Sequence, residues 1–187
     1  MAVNHHPTPD QAHETLQTTL PELLQTEAVR SHLFQDQVGE LDYRHPFPVY
    51  SIGENGLENG RFLDNMQPIG WRHLLFDGDN AVASIDLNAD GTEVVKITQG
   101  KFVQLALAGL EAAQRLEETT HTDYMVSYIE IYGLYFAALW LQSEDAEAII
   151  IPLEEQDDGD VQAMRPYAEA DILALLRQKP SFTRLEP

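Results

Sequence analysis

One apolar stretch constrains the fold of this chain more than any other feature of its sequence. Residues 123–153 contain four of the seven tyrosines and one of the two tryptophans, and before Glu144 they carry only two charges, Asp123 and Glu130. A hydrophobic run of this length would form a large exposed patch if it faced water. The stretch must therefore be buried, and the rest of the chain must supply its cover.

Three structures can bury such a stretch. A transmembrane helix over Tyr124–Leu141 reaches the lower end of the required length of about 17–25 residues, but no Lys or Arg flanks it. A buried helix would place Tyr128, Tyr132 and Tyr135 on one face. Val, Ile, Tyr, Phe and Trp dominate the stretch, however, and these residues suit a pleated sheet. We therefore predict β-structure.

A single straight strand would be too long for a compact domain. Eighteen residues would extend about 60 Å, whereas a globular chain of this length has a radius of gyration of about 16 Å. Gly133 is the predicted break, because a glycine within a strand pattern marks a bulge or a bend. We expect strands at about 125–132 and 134–142, then a polar turn and a strand at 148–153.

Alternation along these strands predicts two faces that are both apolar. It places Tyr128 and Trp140 on one side, and Ile129 and Leu139 on the other. A helix can cover one side of such a hairpin, and the other side then needs a second layer or a partner chain. We therefore expect a homodimer, with another protein as the alternative partner.

The first forty residues predict a tail followed by helices. We expect residues 1–8 to be disordered and residues 9–40 to form a helical N-terminal region. Thr8 and Pro9 suit the cap and the first position of a helix. Pro21 is expected to end this helix and to begin another, because proline interrupts helical hydrogen bonding.

Segment 42–70 predicts an irregular connection. It contains three prolines and four glycines, and two of the glycines follow asparagine in pairs that favour turns. A connection this long is uncommon within a compact domain and is often functional. We therefore interpret it as a candidate binding loop or lid.

The remainder, residues 71–187, predicts a core of sheet and helices. Its order is an antiparallel meander, a helix rich in Ala and Gly, the apolar hairpin, an acidic loop and a last helix between Pro166 and Pro180. Separate runs of strands and helices are typical of the α+β class. We predict a single α+β domain over 9–187, in which an antiparallel sheet made of a meander plus a hairpin is covered by helices on one face.

The order of the elements, α-β-β-β-α-β-β-α, resembles that of type III secretion chaperones, which are also small and acidic and which form dimers. It is also similar to the order in roadblock and longin-type scaffolds. This resemblance lies in the order of the elements, covers most of the chain, and implies an α+β fold that self-associates.

Charge and composition limit the partners of the chain. Its net charge is −20 and it has only three lysines. Because binding to a phosphate backbone relies on Lys and Arg, we expect neither nucleic-acid nor anionic-membrane binding. The lack of cysteine excludes thiol catalysis, disulfides and cysteine-based metal sites. The start of the chain lacks the basic and apolar regions of a secretory signal, so we expect a cytoplasmic protein.

One motif matches part of a metal-binding loop. Asp86, Asn88 and Asp90 precede Gly91 in the spacing of the first half of an EF-hand calcium loop. The twelfth position, which requires a bidentate Glu, is Ile97. The alternative interpretation, an Asp-Gly turn between two strands, is favoured by the strand patterns on both sides.

The candidate binding residues are histidines and aromatic residues near segment 42–70. His45 lies within that segment, and His73 lies in a predicted strand. No two histidines have the i, i+4 spacing of a helical zinc pair. A pocket under the 42–70 loop would have a floor of sheet residues such as Trp71. The full candidate set is His45, Tyr50, Trp71, His73, Tyr128 and Trp140.

The sequence favours a non-enzymatic function. It contains no nucleophile elbow, dinucleotide-binding fingerprint or phosphate-binding loop. We predict a protein-binding, adaptor or chaperone-like module that needs no cofactor. The alternative is a small-molecule-binding protein or a small enzyme with its pocket under the 42–70 loop.

Overall fold

The computed structural model describes residues 4–27, 41–52, 63–156 and 159–178. These residues form three helices and nine strands whose pairings are mostly antiparallel, so the predicted α+β class is confirmed. The helices are α1 (Asp10–Gln25), α2 (Lys101–Thr120) and α3 (Glu169–Leu176). The strands are β1 (Asn4–His5), β2 (Leu41–Ile52), β3 (Met66–Asp77), β4 (Asn80–Leu87), β5 (Val94–Gln99), β6 (Met125–Ile131), β7 (Phe136–Gln142), β8 (Ile149–Pro152) and β9 (Tyr167–Ala168).

The chain forms two compact units that are interleaved in sequence. The hairpin unit takes its described residues from 4–6, 49–68 and 105–178, and the meander unit takes its described residues from 7–48 and 69–104. Both units draw on segment 42–70. The single domain over 9–187 stays a prediction.

The hairpin unit is built around β6. β7 pairs with β6 in antiparallel register from Met125↔Gln142 to Ile131↔Phe136, and β8 and β9 continue the sheet beyond β7. On the other edge of β6, two strands pair in parallel with successive parts of it. β1 pairs with its beginning, and β2 pairs with it at Tyr128 and Ile129.

The predicted break at Gly133 is confirmed, but the predicted faces of the hairpin are wrong. Between β6 and β7 the chain makes a 3₁₀ turn, Tyr132–Leu134, and this turn resets the alternation. In the observed register Ser127 is opposite Trp140, while Tyr128 is opposite Leu139. Opposed residues share a face, so Tyr128 and Trp140 lie on opposite faces rather than on the same one.

Each apolar face of the hairpin is covered by a helix of the chain itself. On the Leu139 face, a Cβ added to Gly109 of α2 would lie 3.0 Å from Leu139 Cδ1 and 2.6 Å from Leu153 Cδ2, so the glycine allows close packing. On the opposite face α3 joins one buried cluster with the sheet. Its buried members include Ile129, Ala138, Ile150, Ile172, Leu173 and Leu176. Helices therefore lie on both faces of this unit, and not on one face as predicted.

In the meander unit, α1 packs on an antiparallel sheet of β3, β4 and β5. Its buried residues Ala12, Leu16 and Leu20 join a cluster with β3 and β4. The prediction that Pro21 ends the helix is wrong, since α1 continues to Gln25. Pro21 lies on the exposed side of the helix, so the unbonded carbonyl one turn earlier can be hydrated. The second predicted helix was to begin at Pro21, and its part beyond residue 27 lies outside the described residues.

Two further predictions are corrected by the strands. Residues 4 and 5 are not part of a disordered tail, because they pair with Met125 and Val126 of β6. Segment 42–70 is not irregular where it is described, because β2 and the start of β3 occupy most of it. Prolines made the segment look irregular. Pro46 and Pro48 precede the pairing of β2 with β6, which begins at Val49, so neither removes a hydrogen bond from that ladder.

Gly70 provides a test of the β3–β4 packing. A Cβ at this position would lie 2.2 Å from the backbone oxygen of Leu87, which cannot move as a side chain can. We expect Gly70→Ala to lower the free energy of unfolding by about 3 kcal/mol, measured by urea unfolding. Its neighbour Ile69 is 43% exposed, so the control Ile69→Ala should cost about 1 kcal/mol or less. Equal losses would show that the close approach is absent.

Candidate functional site

The most exposed aromatic residues of the described chain lie at the tip of the β6–β7 hairpin. Tyr132 and Tyr135 are 64% and 88% exposed. We call residues 132–135 the tyrosine turn. Sequence analysis assigned both tyrosines to strand faces and did not select either of them. The available signal was the predicted break at Gly133, since side chains beside a hairpin turn project beyond the strands that the helices cover.

The backbone of the tyrosine turn is strained. Tyr135 adopts a left-handed conformation with φ 50° and ψ 38°, and its N–H donates to Tyr132 O at 3.1 Å. Glycine, asparagine and aspartate adopt this conformation most readily, whereas a bulky side chain there is unusual. The strained residue is therefore also the most exposed one.

The turn is held in place at its base. Leu134 and Phe136, which flank Tyr135, are buried in the cluster beneath α3. The hydroxyl of Tyr132 donates to Glu130 Oε2 at 2.6 Å, and this fixes the direction of the ring. The two exposed rings thus project from an anchored turn and carry a carboxylate beside them.

A second group of residues lies on the α3-facing side of the same sheet. Tyr50 and Trp140, both candidates from the sequence, meet edge to face with 5.3 Å between ring centroids. β2 places Tyr50 beside Ile129, and β7 places Trp140 opposite Ser127, so both rings are on one face. The indole Nε1 of Trp140 is buried without a hydrogen-bond partner among the described residues.

A polar network adjoins this aromatic pair. Ser127 Oγ donates to Gln142 Oε1 at 3.1 Å and lies 3.1 Å from His6 Nε2. Since the hydroxyl has one proton, His6 is the donor in their contact. Burial lowers the pKa of His6, against an opposing effect of its hydrogen bond to Gln142, so the ring is neutral at pH 7. A buried serine that gives its proton to an amide is not arranged as a nucleophile with a base.

In the meander unit, two histidines meet at a tyrosine. The hydroxyl of Tyr43 is 2.6 Å from His13 Nδ1, and its ring packs edge to face against His73 with 5.9 Å between centroids. Burial raises the pKa of Tyr43, with a smaller effect from Asp42. Burial also lowers the pKa of His73 to about 4. A phenol and a buried imidazole with these shifts both remain neutral at pH 7, and the shifts make Tyr43 a weaker acid and His73 a weaker base than usual.

The remaining candidate residues from the sequence, His45, Trp71 and Tyr128, belong neither to the Tyr50–Trp140 pair nor to the contacts of Tyr43 with the two histidines. His45 lies within β2 in a left-handed conformation with φ 54°, and its ring is 5.8 Å from that of Phe76. Burial and the nearby Arg44 lower its pKa. Trp71 is partly buried against the cluster beneath α1. Tyr128 is fully buried on the face opposite Trp140, so it cannot share a pocket floor with that residue.

The calcium-loop motif forms a turn between β4 and β5. Both carboxylate oxygens of Asp86 accept from Arg72, each at 2.7 Å, in a pair that is largely buried. Asn88 Oδ1 accepts from the backbone N–H of Thr92 at 2.8 Å and of Glu93 at 3.3 Å. The side-chain oxygens of Asp86 and Asn88 are therefore engaged within the chain, in a turn between two strands.

Two further kinds of site are absent from the described part of the chain. No group of three or more His, Asp or Glu residues within it is positioned to hold a metal ion. None of its helices is both long and apolar enough to cross a membrane.

No protein family, curated protein or solved structure shows significant similarity to the chain. The resemblance in element order to secretion chaperones and to roadblock and longin-type scaffolds therefore stays a prediction. The function of the chain is therefore inferred from the geometry of its described residues.

The buried His73 provides a test by pH. The folded protein keeps this imidazole neutral down to its pKa of about 4, whereas the unfolded chain protonates it near 6.5. The unfolded state therefore binds more protons between these values, and stability falls as pH drops through that window. The loss due to His73 should approach about 3 kcal/mol.

His73→Phe removes this titration and keeps a planar ring beside Tyr43. Its free energy of unfolding should therefore fall less than that of the wild type between pH 7 and pH 4, by about 3 kcal/mol. Guanidinium unfolding at several pH values measures the difference. Val95→Thr, at an exposed position without a titrating group, is the control and should follow the wild type. Parallel curves for His73→Phe and the wild type would contradict the burial of this ring.

Proposed function

We propose that this chain is a non-enzymatic protein-binding module and that the tyrosine turn is its contact site. The exposure of Tyr132 and Tyr135 is the observation that supports the proposal most directly. Tyrosine combines a large apolar ring with a hydroxyl and loses little side-chain freedom on binding, and it is enriched among the residues that contribute most to interfaces.

The anchoring of the turn supports the same proposal. Binding is weakened when contact residues must be ordered, by about 0.5–1.5 kcal/mol for each flexible side chain. Here the buried Leu134 and Phe136 hold the backbone, and the hydrogen bond to Glu130 holds Tyr132. The free protein therefore already holds part of the contact surface in one conformation, which lowers the entropy cost of binding.

The strained backbone of Tyr135 also supports a functional use of the tyrosine turn. A residue in the left-handed region costs roughly 1–2 kcal/mol relative to the right-handed one when it carries a Cβ. Such strain persists mainly where the position has a functional use. Packing does not account for it, because the Tyr135 side chain is almost entirely in solvent.

The chemistry of the site favours a basic partner. A cationic side chain can stack on a tyrosine ring, and both rings of the turn are exposed. The net charge of −20 adds long-range attraction for a basic surface and speeds encounter with it. We therefore expect the partner to present Arg or Lys to the two rings.

The alternative function, a small enzyme or ligand-binding protein with a pocket under the 42–70 loop, has less support. Tyr128 and Trp140, which were to form its floor, lie on opposite faces of the hairpin. Residues 53–62, which contain most of the remaining loop, lie outside the described residues. The contact between Tyr50 and Trp140 is the part of that hypothesis with structural support.

Selection from a random peptide library tests the proposed contact site and the charge of its partner. Peptides that bind the wild-type protein should be enriched in Arg and Lys. The double variant Tyr132→Ser/Tyr135→Ser should bind them at least about tenfold more weakly, as expected for the loss of central aromatic residues. Fluorescence polarisation with labelled peptides measures the affinities.

The matched control changes two exposed apolar residues of the meander unit, Val95→Ser and Phe102→Ser. This variant should keep the affinity of the wild type. Peptides that bind both double variants equally well would place the contact site elsewhere, and enrichment of acidic peptides would contradict a basic partner.

Tyr135→Asn separates strain from contact. Asparagine adopts the left-handed conformation more readily than tyrosine, and little burial is lost at this exposed position. We expect the free energy of unfolding to rise by about 1 kcal/mol while peptide binding weakens. Tyr132→Asn, at a position without a positive φ, is the control and should give no gain in stability. If Tyr135→Asn also gave none, the strain would not be real.

A further inference from the structure

The beginning of β6 is covered by a very short strand. β2 pairs with β6 at Tyr128 and Ile129, and the preceding residues Met125 and Val126 pair instead with Asn4 and His5 of β1. We call residues 4–6 the arm. An unpaired strand edge readily accepts another strand, so the arm protects a position that an extended segment from elsewhere could also occupy.

The arm is held by more than backbone pairing. His6 donates to the fully buried hydroxyl of Ser127, which is in turn bonded to Gln142 of β7. A buried hydroxyl that lost this contact would be left with an unfilled acceptor position. We call the edge of β6 at Met125–Ser127 the slot. It suits an extended segment that pairs with Met125 and, two residues later, carries a hydrogen-bond donor such as His6 that reaches Ser127.

The chain that joins the arm to α1 is stiff and extended. Pro7 and Pro9 fix their own φ angles, and each disfavours the helical region for the residue before it, His6 and Thr8. Pro9 has φ −54° and ψ 139°. Residues 7–9 are therefore held extended, and exchange of a short segment through such a linker is a low-cost route to a dimer.

Charge identifies the segment that can enter the slot of a second copy. Residues 1–9 contain no Asp, Glu, Lys or Arg, whereas the whole chain has a net charge of −20. Two copies repel each other over most of their surfaces. The arm can approach a second copy without adding to that repulsion, and it already has the side chains that the slot binds.

We infer that two copies of the chain exchange their arms, so that residues 4–6 of each copy pair with β6 of the other. The contacts in the dimer are those seen within one chain, including the one between His6 and Ser127. The exchange is reciprocal and gives a closed, twofold-symmetric dimer. It leaves the tyrosine turn free, so it goes beyond the proposed function and does not depend on it.

A disulfide test distinguishes exchange from pairing within one chain. The chain has no cysteine, and His5 lies directly opposite Val126, where the Cα atoms of paired strands are about 5 Å apart. This spacing suits a disulfide. The variant His5→Cys/Val126→Cys, oxidised and run on a non-reducing gel, should give a crosslinked dimer whose share rises severalfold as the protein concentration is raised.

Mixing the two single variants, His5→Cys and Val126→Cys, should give a covalent dimer that contains one chain of each. The control mixture of His5→Cys with the exposed Val95→Cys measures random crosslinking and should give much less. Crosslinks that stay within one chain at every concentration would overturn the exchange. The absence of any crosslink would overturn the pairing of the arm itself.

A second pair guards against a variant that fails to fold. Asn4 is opposite Met125, which is not fully buried, so Asn4→Cys/Met125→Cys repeats the test with less disturbance of the core. Circular dichroism checks the fold of each variant. Adding Tyr132→Ser/Tyr135→Ser to the crosslinking variant should leave the share of dimer unchanged, whereas the same change should weaken peptide binding at least about tenfold. The two proposals can therefore fail separately.

Discussion

The burial of both faces of the β6–β7 hairpin is the constraint on which the structure depends. Nearly every residue of the two strands is apolar, so covering one face would leave the other in water. α2 covers the Leu139 face, where Gly109 allows the helix to approach closely, and α3 covers the face of Ile129 and Ala138. A second copy of the chain is therefore not needed to bury the hairpin. The proposed self-association uses other residues, those of the arm.

The turn between the two strands determines which residues meet. Three residues in a 3₁₀ turn and a left-handed Tyr135 replace what would have been continuous alternation. The register that results joins Trp140 to the face of Ser127, Tyr50 and the arm, and separates it from Tyr128. The same turn projects two tyrosines beyond the covered part of the sheet. The composition of the two faces and the exposure of the two tyrosines thus both follow from this turn.

Sequence patterns predicted the strands of this hairpin, its break at Gly133, the close-packing helix α2 and the α+β class, because each depends on local periodicity. They failed where a distant contact decides the outcome. Pro21 was expected to end α1, but the packing of Leu16 and Leu20 keeps the helix continuous. The arm was expected to be disordered, since no local pattern shows that β6 has a free edge. Sequence patterns did not identify the tyrosine turn, because the exposure of its side chains depends on how far the covering helices extend along the sheet.

β6 connects the two proposed interactions. Its first residues pair with the arm, and its last residue leads into the tyrosine turn, so about 20 Å of strand separates them. Exchange of the arms therefore uses none of the residues of the turn, and an exchanged dimer would carry two such turns. A partner with two basic segments could then bind both, and the second contact would form at a high effective concentration. Two weak sites on a stable dimer would in this way give a tight complex, which a single exposed pair of tyrosines would not provide.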